Sequence, residues 1–282
     1  MSRIDAPNQR QLLFFTDLDG TLLDHFSYSA EAAAPALHQL DQRAIPWIPN
    51  TSKTFAELQP LRQMLGHQGP FVVENGAAIY LPEGFEVSTD LEPVEGYQVK
   101  RFGEKGERLV ECLEALQNRY RFRSFSQMTI DELIDLTGLD FESATLAMQR
   151  QYTEPMLWRD STEAFEDMRL EVKSVGLELV RGGRFVHLMG KHNKADAMFW
   201  LNQQFEASGN PAITIALGDG ENDIEMLSAA DIAVVVRSPV HPPVKLPAHK
   251  KAIVTPGLGP VGWNQAVLDI LQNTNRFLAE QR

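Results

Sequence analysis

Two short apolar runs, far apart in the chain, both end in aspartate. Leu12-Leu13-Phe14-Phe15-Thr16 stops at Asp17, and residues 212–217 stop at Gly218-Asp219. Runs this short and this apolar read as strands buried on both faces, as in a parallel sheet. Ligands of open parallel sheets bind beyond the carboxyl ends of the strands. The fold must therefore bring two remote strand ends to one edge, and Asp17, Asp19 and Asp219 with them. Clustered carboxylates repel one another unless a cation sits among them. Oxygen-only ligands favour a hard ion such as Mg2+.

The chain between these runs alternates, stops alternating, and starts again. A helix is expected over residues 30–43, a strand over 45–49, a helix over 55–65 and a third strand over 71–73, as in a parallel sheet. Asn75-Gly76, between Val72-Val73 and Ile79-Tyr80, is a hairpin signal. Residues 83–108 are rich in Glu, Gly, Pro and Lys and read as a linker. Helices then follow near 106–119, 140–150 and 162–174, with strands near 156–159, 176–181 and 184–189. Gly182-Gly183 reads as a second hairpin. Alternation resumes at Asn193: a helix to about 207, the strand 212–217, a short helix after 222, strands at 232–236 and 253–254, and a final helix over 263–278.

The expected fold class is therefore α/β, a doubly wound and mainly parallel sheet with an inserted α+β domain. The expected division is core 1–84, insert 85–189 and core 190–282. An insertion is tolerated where its two ends lie close together.

Composition narrows the partners. With 43% apolar and 23% charged residues over 282 positions, the chain buries a core without disulfides or metal staples. Cys112 is the single cysteine, which fits a reducing compartment and reads as a small buried apolar residue. No run of eighteen apolar residues occurs, so no membrane span is expected. The polar first residues lack an apolar signal core, so a cytoplasmic location is expected. A net charge of −12 argues against non-specific nucleic-acid binding. It also means that an anionic substrate needs a local positive centre. Composition leaves monomer and homodimer open.

The aspartates sit in specific contexts. Phe15-Thr16-Asp17-Leu18-Asp19-Gly20-Thr21-Leu22 resembles the first motif of the haloacid dehalogenase superfamily in its phosphatase form. Gly218-Asp219-Gly220-Glu221-Asn222-Asp223 resembles the fourth motif. Thr51 after the second strand suits the second motif, and Lys194 at a helix start suits the third. Each alone is common in turns and on surfaces, but the four in order are specific. The resemblance implies a Rossmann-like core over about 1–82 and 191–282, with a C2-type cap between the second and third motifs.

The resemblance also implies roles. Asp17 would attack phosphorus and carry the phosphoryl group. Asp19 would protonate the leaving alcohol and then activate water. Mg2+ would be held by Asp17, the Asp19 carbonyl and Asp219. Thr51 and Lys194 would bind and neutralise the transferring phosphoryl group. Asp223 would orient Lys194 or a metal-bound water. Asn222 would support this loop, and Gly20 would permit close approach of backbone to phosphate.

A finer likeness spans most of the chain. Asn50-Thr51-Ser52-Lys53-Thr54 is similar to the second-motif region of the mannosyl-3-phosphoglycerate phosphatase family, where most superfamily relatives carry arginine at the position of Lys53. Arg150-Gln151-Tyr152-Thr153-Glu154-Pro155, Leu157-Trp158-Arg159-Asp160, Gly183-Arg184-Phe185-Val186-His187 and Gly257-Leu258-Gly259-Pro260 with Gly262-Trp263 share the likeness. It implies a small phosphorylated sugar-acid substrate, mannosyl- or glucosyl-3-phosphoglycerate. Ser52 and Lys53 would lie near the phosphoglycerate half, Arg184 would pair with the carboxylate, and Glu154 and His187 would meet sugar hydroxyls. For Arg184 and Glu154, surface or hinge ion pairing is an equal alternative. Two other readings of the same architecture stay open: a phosphatase of simple sugar phosphates or phosphoglycolate, and a sugar phosphomutase. Gly257–Gly262 fits G-x-G-x-x-G, but the chain ends too soon for a dinucleotide unit, so it reads as a structural turn. His187, His192, His241 and His249 show no metal-ligand spacing.

Overall fold

The computed structural model describes residues 10–87, 91–181, 184–209, 211–247 and 252–280. The first hundred or so residues hold β1 (Gln11–Thr16), α1 (Ala34–Gln42), β2 (Trp47–Pro49), α2 (Phe55–Met64), β3 (Phe71–Val73), β4 (Ala78–Pro82), β5 (Glu92–Val94) and β6 (Tyr97–Arg101). The middle holds α3 (Gly106–Leu116), β7 (Phe122–Ser124), α4 (Ile130–Thr137), α5 (Phe141–Ala147), β8 (Thr153–Trp158), α6 (Thr162–Ser174), β9 (Leu177–Arg181) and β10 (Val186–Gly190). The last holds α7 (Lys194–Ala207), β11 (Ala212–Gly218), α8 (Ile224–Ala229), β12 (Ile232–Arg237), β13 (Ala252–Leu258) and α9 (Gly259–Glu280).

Five strands form a parallel sheet in the order β13-β12-β11-β1-β2. β1 lies directly beside β11, with Thr16 opposite Leu217, so the two aspartate-bearing ends share one edge. Successive residues of β1 point to opposite faces. Phe14 packs with Leu37 and Leu40 of α1 and Trp263 and Val267 of α9. Leu13 and Phe15 pack with Met198 and Leu201 of α7 and Leu227 of α8. Helices thus cover both faces, the doubly wound arrangement expected.

β7, β8, β10 and β9 form an antiparallel sheet in that order. α3 and α6 cover one face through Leu109, Leu113, Phe165 and Met168. α4 and α5 build a smaller core with Phe125, Leu157 and Phe185. This is the inserted α+β part.

Several local expectations change. β3 is not a member of the five-stranded sheet. It touches that sheet through a single parallel bridge, Asn50 with Val72, and pairs antiparallel with β4 in the sheet β3-β4-β6-β5. The expected linker at 83–108 carries β5, β6 and the start of α3. Glu95 and Gly96 both have positive φ, 49° and 80°, which suits a two-residue hairpin turn between the last two strands of that sheet. The hairpin at Asn75-Gly76 forms through a longer turn, because Glu74, Asn75 and Gly76 all have positive φ. β7 and α4 were not expected; α4 begins with a Thr129/Glu132 capping box. Gly182-Gly183 lies outside the described residues, although β9 and β10 on either side pair antiparallel. His249 also lies outside them. No helix among the described residues is long and apolar enough to cross a membrane.

Candidate active site

The floor of the site is built where β1, β11 and α7 converge. Asn193 caps α7 reciprocally with Asp196, which fixes the helix start and places Lys194 on its first turn. Asn50 donates to the Lys194 carbonyl at 2.9 Å. Lys194 is fully buried, and its Nζ lies 2.6 Å from both Asp17 Oδ1 and Asp223 Oδ1. Asp223 Oδ2 accepts the Asp219 and Gly220 amides at 3.1 and 3.0 Å. Both of its oxygens are therefore engaged. Thr21 donates to Asp219 Oδ1 at 2.9 Å, and His241 Nε2 lies 3.3 Å from Asp219 Oδ2.

One oxygen from each of Asp17, Asp219 and Asp223 falls within 4.8 Å of the others. Three buried carboxylates thus surround a single ammonium. Burial raises the Asp17 pKa well above its ordinary value, and the pull of Lys194 does not offset burial plus repulsion from Asp223 and Asp219. Asp219 is also raised, first by burial and then by Asp223. Burial opposes the charge on Lys194, but Asp17 and Asp223 more than compensate and raise its pKa. The excess negative charge, on oxygen donors only, fits a hard divalent cation. Asp223 already accepts three hydrogen bonds, so Asp17 and Asp219 keep more free oxygen capacity for such an ion.

Asp19 sits at the rim rather than on the floor. Its Oδ2 pairs with Lys53 Nζ at 3.0 Å, and its Oδ1 has no partner among the described residues. Lys53 also lies 3.6 Å from Glu57. Burial works against its charge, yet Asp19 and Glu57 raise its pKa. Gly20 between rim and floor has φ of 76°, and a Cβ there would stand 2.8 Å from Asp219 Oδ2. Both the conformation and the close approach require glycine.

The loop carrying Thr51, Ser52 and Lys53 is held by the turn after β3. The Asn75 amide donates to the Thr51 carbonyl at 2.8 Å, and the Glu74 amide to the Lys53 carbonyl at 3.0 Å. Thr51 is buried, and its Oγ1 accepts the Lys53 amide. Gly76 lets this turn lie on the start of α7, since a Cβ there would meet the Asn193 carbonyl at 2.0 Å. Asn222 reaches the same turn, donating to Asn75 Oδ1 at 3.0 Å.

The inserted sheet meets this floor at a seam that short-range sequence signals did not mark. Glu74 is fully buried and accepts the Gln151 and Tyr152 amides and the Thr153 hydroxyl at 2.8, 3.1 and 2.7 Å. Arg150 lies 3.6 Å from Glu74 and donates to the Ser52 carbonyl at 2.9 Å. Above the seam, Glu154 is buried and accepts the Ser126 amide at 2.7 Å. Burial nevertheless raises its pKa. Burial, with Arg150 nearby, pushes His187 down to about 3, and its Nδ1 has no partner among the described residues. Arg184 is exposed and donates to the Leu136 carbonyl. Among the described residues no contact joins it to the floor.

Sequence reasoning gives Glu74, Arg150, Thr21 and His241 no role of their own, although Thr21 and Arg150 stand in segments that carry the resemblance. Their partners lie far away in the chain, so no local spacing betrays them. The glycine-rich segment spans the direct junction of β13 and α9, where Gly259 has φ of 47° and Thr255 Oγ1 donates to the Gly257 carbonyl at 2.8 Å. Trp263 just beyond it donates to Thr16 Oγ1 at 2.9 Å, and Thr16 donates to the Asp17 carbonyl.

Comparisons with known proteins agree in kind. The sequence profile of the haloacid dehalogenase-like hydrolases matches residues 14–131 and 177–250. A glucosyl-3-phosphoglycerate/mannosyl-3-phosphoglycerate phosphatase of Persephonella marina is 34% identical, over 94% of this chain and 99% of that protein. A protein of the same name from Methanococcoides burtonii is 37% identical, with the same coverage. Among solved structures, a subclass IIB sugar phosphatase of the haloacid dehalogenase superfamily superposes with a TM-score of 0.63 at 16% identity, over 93% of this chain and 98% of that one. The sucrose-phosphatase of Synechocystis sp. PCC6803 superposes with a TM-score of 0.59 at 16% identity, over 95% and 98%. At such identities the two structures establish the fold alone.

Proposed function

Because this chain belongs to the haloacid dehalogenase-like hydrolases, we propose that it hydrolyses the phosphate ester of mannosyl- or glucosyl-3-phosphoglycerate through an aspartyl-phosphate. The observation that carries the reading is the floor: Lys194 Nζ at 2.6 Å from Asp17, with Asp219 alongside and Asp223 locked by amides. The two relatives named for this activity match nearly the full length, the inserted sheet included.

In the first step an Asp17 carboxylate oxygen attacks phosphorus and the bond to the leaving oxygen breaks. Asp19 gives its proton to that oxygen, releasing the glycosylglycerate. In the second step Asp19 takes a proton from water, whose oxygen attacks phosphorus. The Asp17–phosphorus bond breaks, and inorganic phosphate leaves. Splitting hydrolysis this way replaces one difficult displacement by two easier ones. Lys194 holds Asp17 in place and offsets charge that develops on the transferring group. Thr51 would donate to a phosphate oxygen from a loop fixed by Glu74 and Asn75. Mg2+ bound by Asp17, Asp219 and the Asp19 carbonyl would supply the remaining positive charge for phosphate.

The middle segment acts in this reading as a cap, with Glu154 and His187 facing sugar hydroxyls. Arg150 joins them as a candidate substrate contact, because it bridges the seam to Ser52.

The test is a substrate panel with Mg2+, following phosphate release from mannosyl-3-phosphoglycerate, glucosyl-3-phosphoglycerate and plain hexose phosphates. The glycosylated phosphoglycerates should be preferred. Equal or better turnover of hexose phosphates would remove the sugar-acid assignment. Asp17→Asn should abolish turnover with an unchanged circular-dichroism spectrum; persistent activity would refute the nucleophile.

A further inference from the structure

The loop that follows β1 carries an exposed aromatic ring in a costly backbone conformation. Asp24 Oδ1 accepts the Phe26 amide at 3.1 Å, and the Ser27 amide and hydroxyl at 2.9 Å each. The Tyr28 amide donates to the Asp24 carbonyl, and the Asp24 amide to the Ser29 carbonyl, both at 2.9 Å. This lattice of bonds holds Tyr28 at φ of 56°, the left-handed region that residues with side chains avoid. The residue so presented is 46% exposed. A strained backbone that displays an apolar ring to solvent gains nothing for the core, and such strain collects at functional sites.

Its neighbours say which functional site. The Lys53 ammonium stands 5.3 Å from the centroid of the Tyr28 ring and 3.0 Å from Asp19 Oδ2. Asp19 Oδ1 is without a partner among the described residues. In the reaction proposed above Asp19 protonates the leaving oxygen, so the leaving group must lie against Asp19. Contacts therefore run from Asp19 to the Lys53 cation, and from that cation to the Tyr28 ring. A glycosylated glycerate offers a matching sequence: the ester oxygen, a carboxylate close to it, and a pyranose ring farther out. A cation suits the carboxylate, and a rigid aromatic face suits the C–H face of a sugar, as in small-molecule sites lined by aromatics around a few polar groups.

We propose that Tyr28 is the platform on which the pyranose ring of the leaving group stacks, and that it sets preference for glycosylated over plain phosphoglycerate. The inference rests on the substrate reading of the preceding subsection. Its test uses the full chain with Mg2+ and compares mannosyl-3-phosphoglycerate with unglycosylated 3-phosphoglycerate, the latter as substrate or competitive inhibitor. Tyr28→Ala should raise KM for the glycosylated ester about tenfold, the low end of what a pocket contact is worth, with kcat within about twofold. The KM or inhibition constant of plain 3-phosphoglycerate should not move. Tyr28→Phe, which keeps the ring, should restore the wild-type KM. If Tyr28→Ala weakens both compounds equally, the loop acts on the catalytic floor and the platform is overturned. An unchanged KM for the glycosylated ester overturns it as well. Wild-type protein inert toward the glycosylated ester would instead remove the substrate reading, and this inference with it.

Discussion

Burial has opposite consequences for the lysine on the floor of this site and for two groups in the inserted sheet above it. On the floor, Lys194 is fully buried and stays a cation, because two carboxylates lie 2.6 Å away. Above, His187 and Glu154 are withdrawn from water without an equal and opposite charge in hydrogen-bond contact. Both are pushed toward their neutral forms. Desolvation penalises any charge; two close carboxylates reverse the penalty for Lys194, whereas Asp17 and Asp219, sharing that one cation with Asp223, stay raised by burial. The floor is thus suited to stabilising charge. The region above is suited to neutral hydrogen bonding, which is what sugar hydroxyls offer.

The most damaging way to break this contrast is to remove the floor's cation. Lys194→Met would leave Asp17, Asp219 and Asp223 buried together. Activity should fall about 10^3-fold, as when a preorganised electrostatic group is removed from an active site. Uncompensated buried charge should also cost about 3–5 kcal/mol of stability at neutral pH in chelator. Added Mg2+ should recover part of the stability but little of the activity. Urea titrations with and without the ion measure the first, and phosphate release measures the second. A variant as stable as wild type in chelator would show that the floor does not depend on its ion pairs.

A smaller effect separates the upper region. His187 has an ordinary pKa near 6.5 and stands at about 3 in the fold. Between those values the unfolded chain holds a proton that the folded chain lacks. The contribution is therefore complete above pH 6.5 and is lost as pH falls toward 3. Each pH unit crossed in that window removes about 1.4 kcal/mol. Other buried histidines lose stability in the same direction, His67 among them, lowered to about 4 by burial and Arg62. The informative quantity is accordingly a difference. His187→Gln should flatten the acid limb relative to wild type in urea titrations from pH 7 to 4. An unchanged slope would mean that His187 is solvated and protonated normally.

How much of this was readable in advance follows the range of the interactions. Asp17, Asp19, Gly20, Lys194, Asp219 and Asp223 sit at strand or helix ends, and local pattern places such ends well. The parallel sheet and the shared edge of β1 and β11 followed from the apolar runs, but the order of its strands did not. The pair β5 and β6 was hidden because β5 is short and largely exposed, so its composition looked like a loop. Its signal was the Glu95-Gly96 turn, which lacks the Asn or Asp usual in two-residue hairpins. α4 had a readable capping box that was overlooked. The turn Glu74-Asn75-Gly76-Ala77 is common in the subgroup the chain resembles, but nothing in the sequence near Glu74 points to its partners. Its carboxylate is satisfied by residues 151 to 153, and such a partnership exists only once the inserted sheet has docked.

The mildest prediction concerns the second lysine, and it sharpens the contrast within the core itself. Lys53 and Lys194 each bridge two carboxylates. The Lys53 pairs are looser, at 3.0 and 3.6 Å, and its main partner Asp19 has a 36% exposed side chain. Lys53 and Glu57 are themselves 15% and 16% exposed, so Lys53→Met should cost more than a fully solvated pair is worth but less than Lys194→Met, whose partners are buried. Its effect on catalysis should also differ in kind. Lys194 lies against the proposed nucleophile, where charge changes as phosphorus is attacked, so its loss should fall on kcat. Lys53 lies toward the leaving group, whose carboxylate is charged before and after reaction, so its loss should fall on KM. About a tenfold rise in KM, with a much smaller fall in kcat, is expected from removing uniform binding. Lys53→Arg should largely restore KM, because a guanidinium can meet the same carboxylate. If Lys53→Met instead loses as much kcat as Lys194→Met at unchanged KM, Lys53 acts on Asp19 during proton transfer. The division of labour between floor and rim would then have to be abandoned.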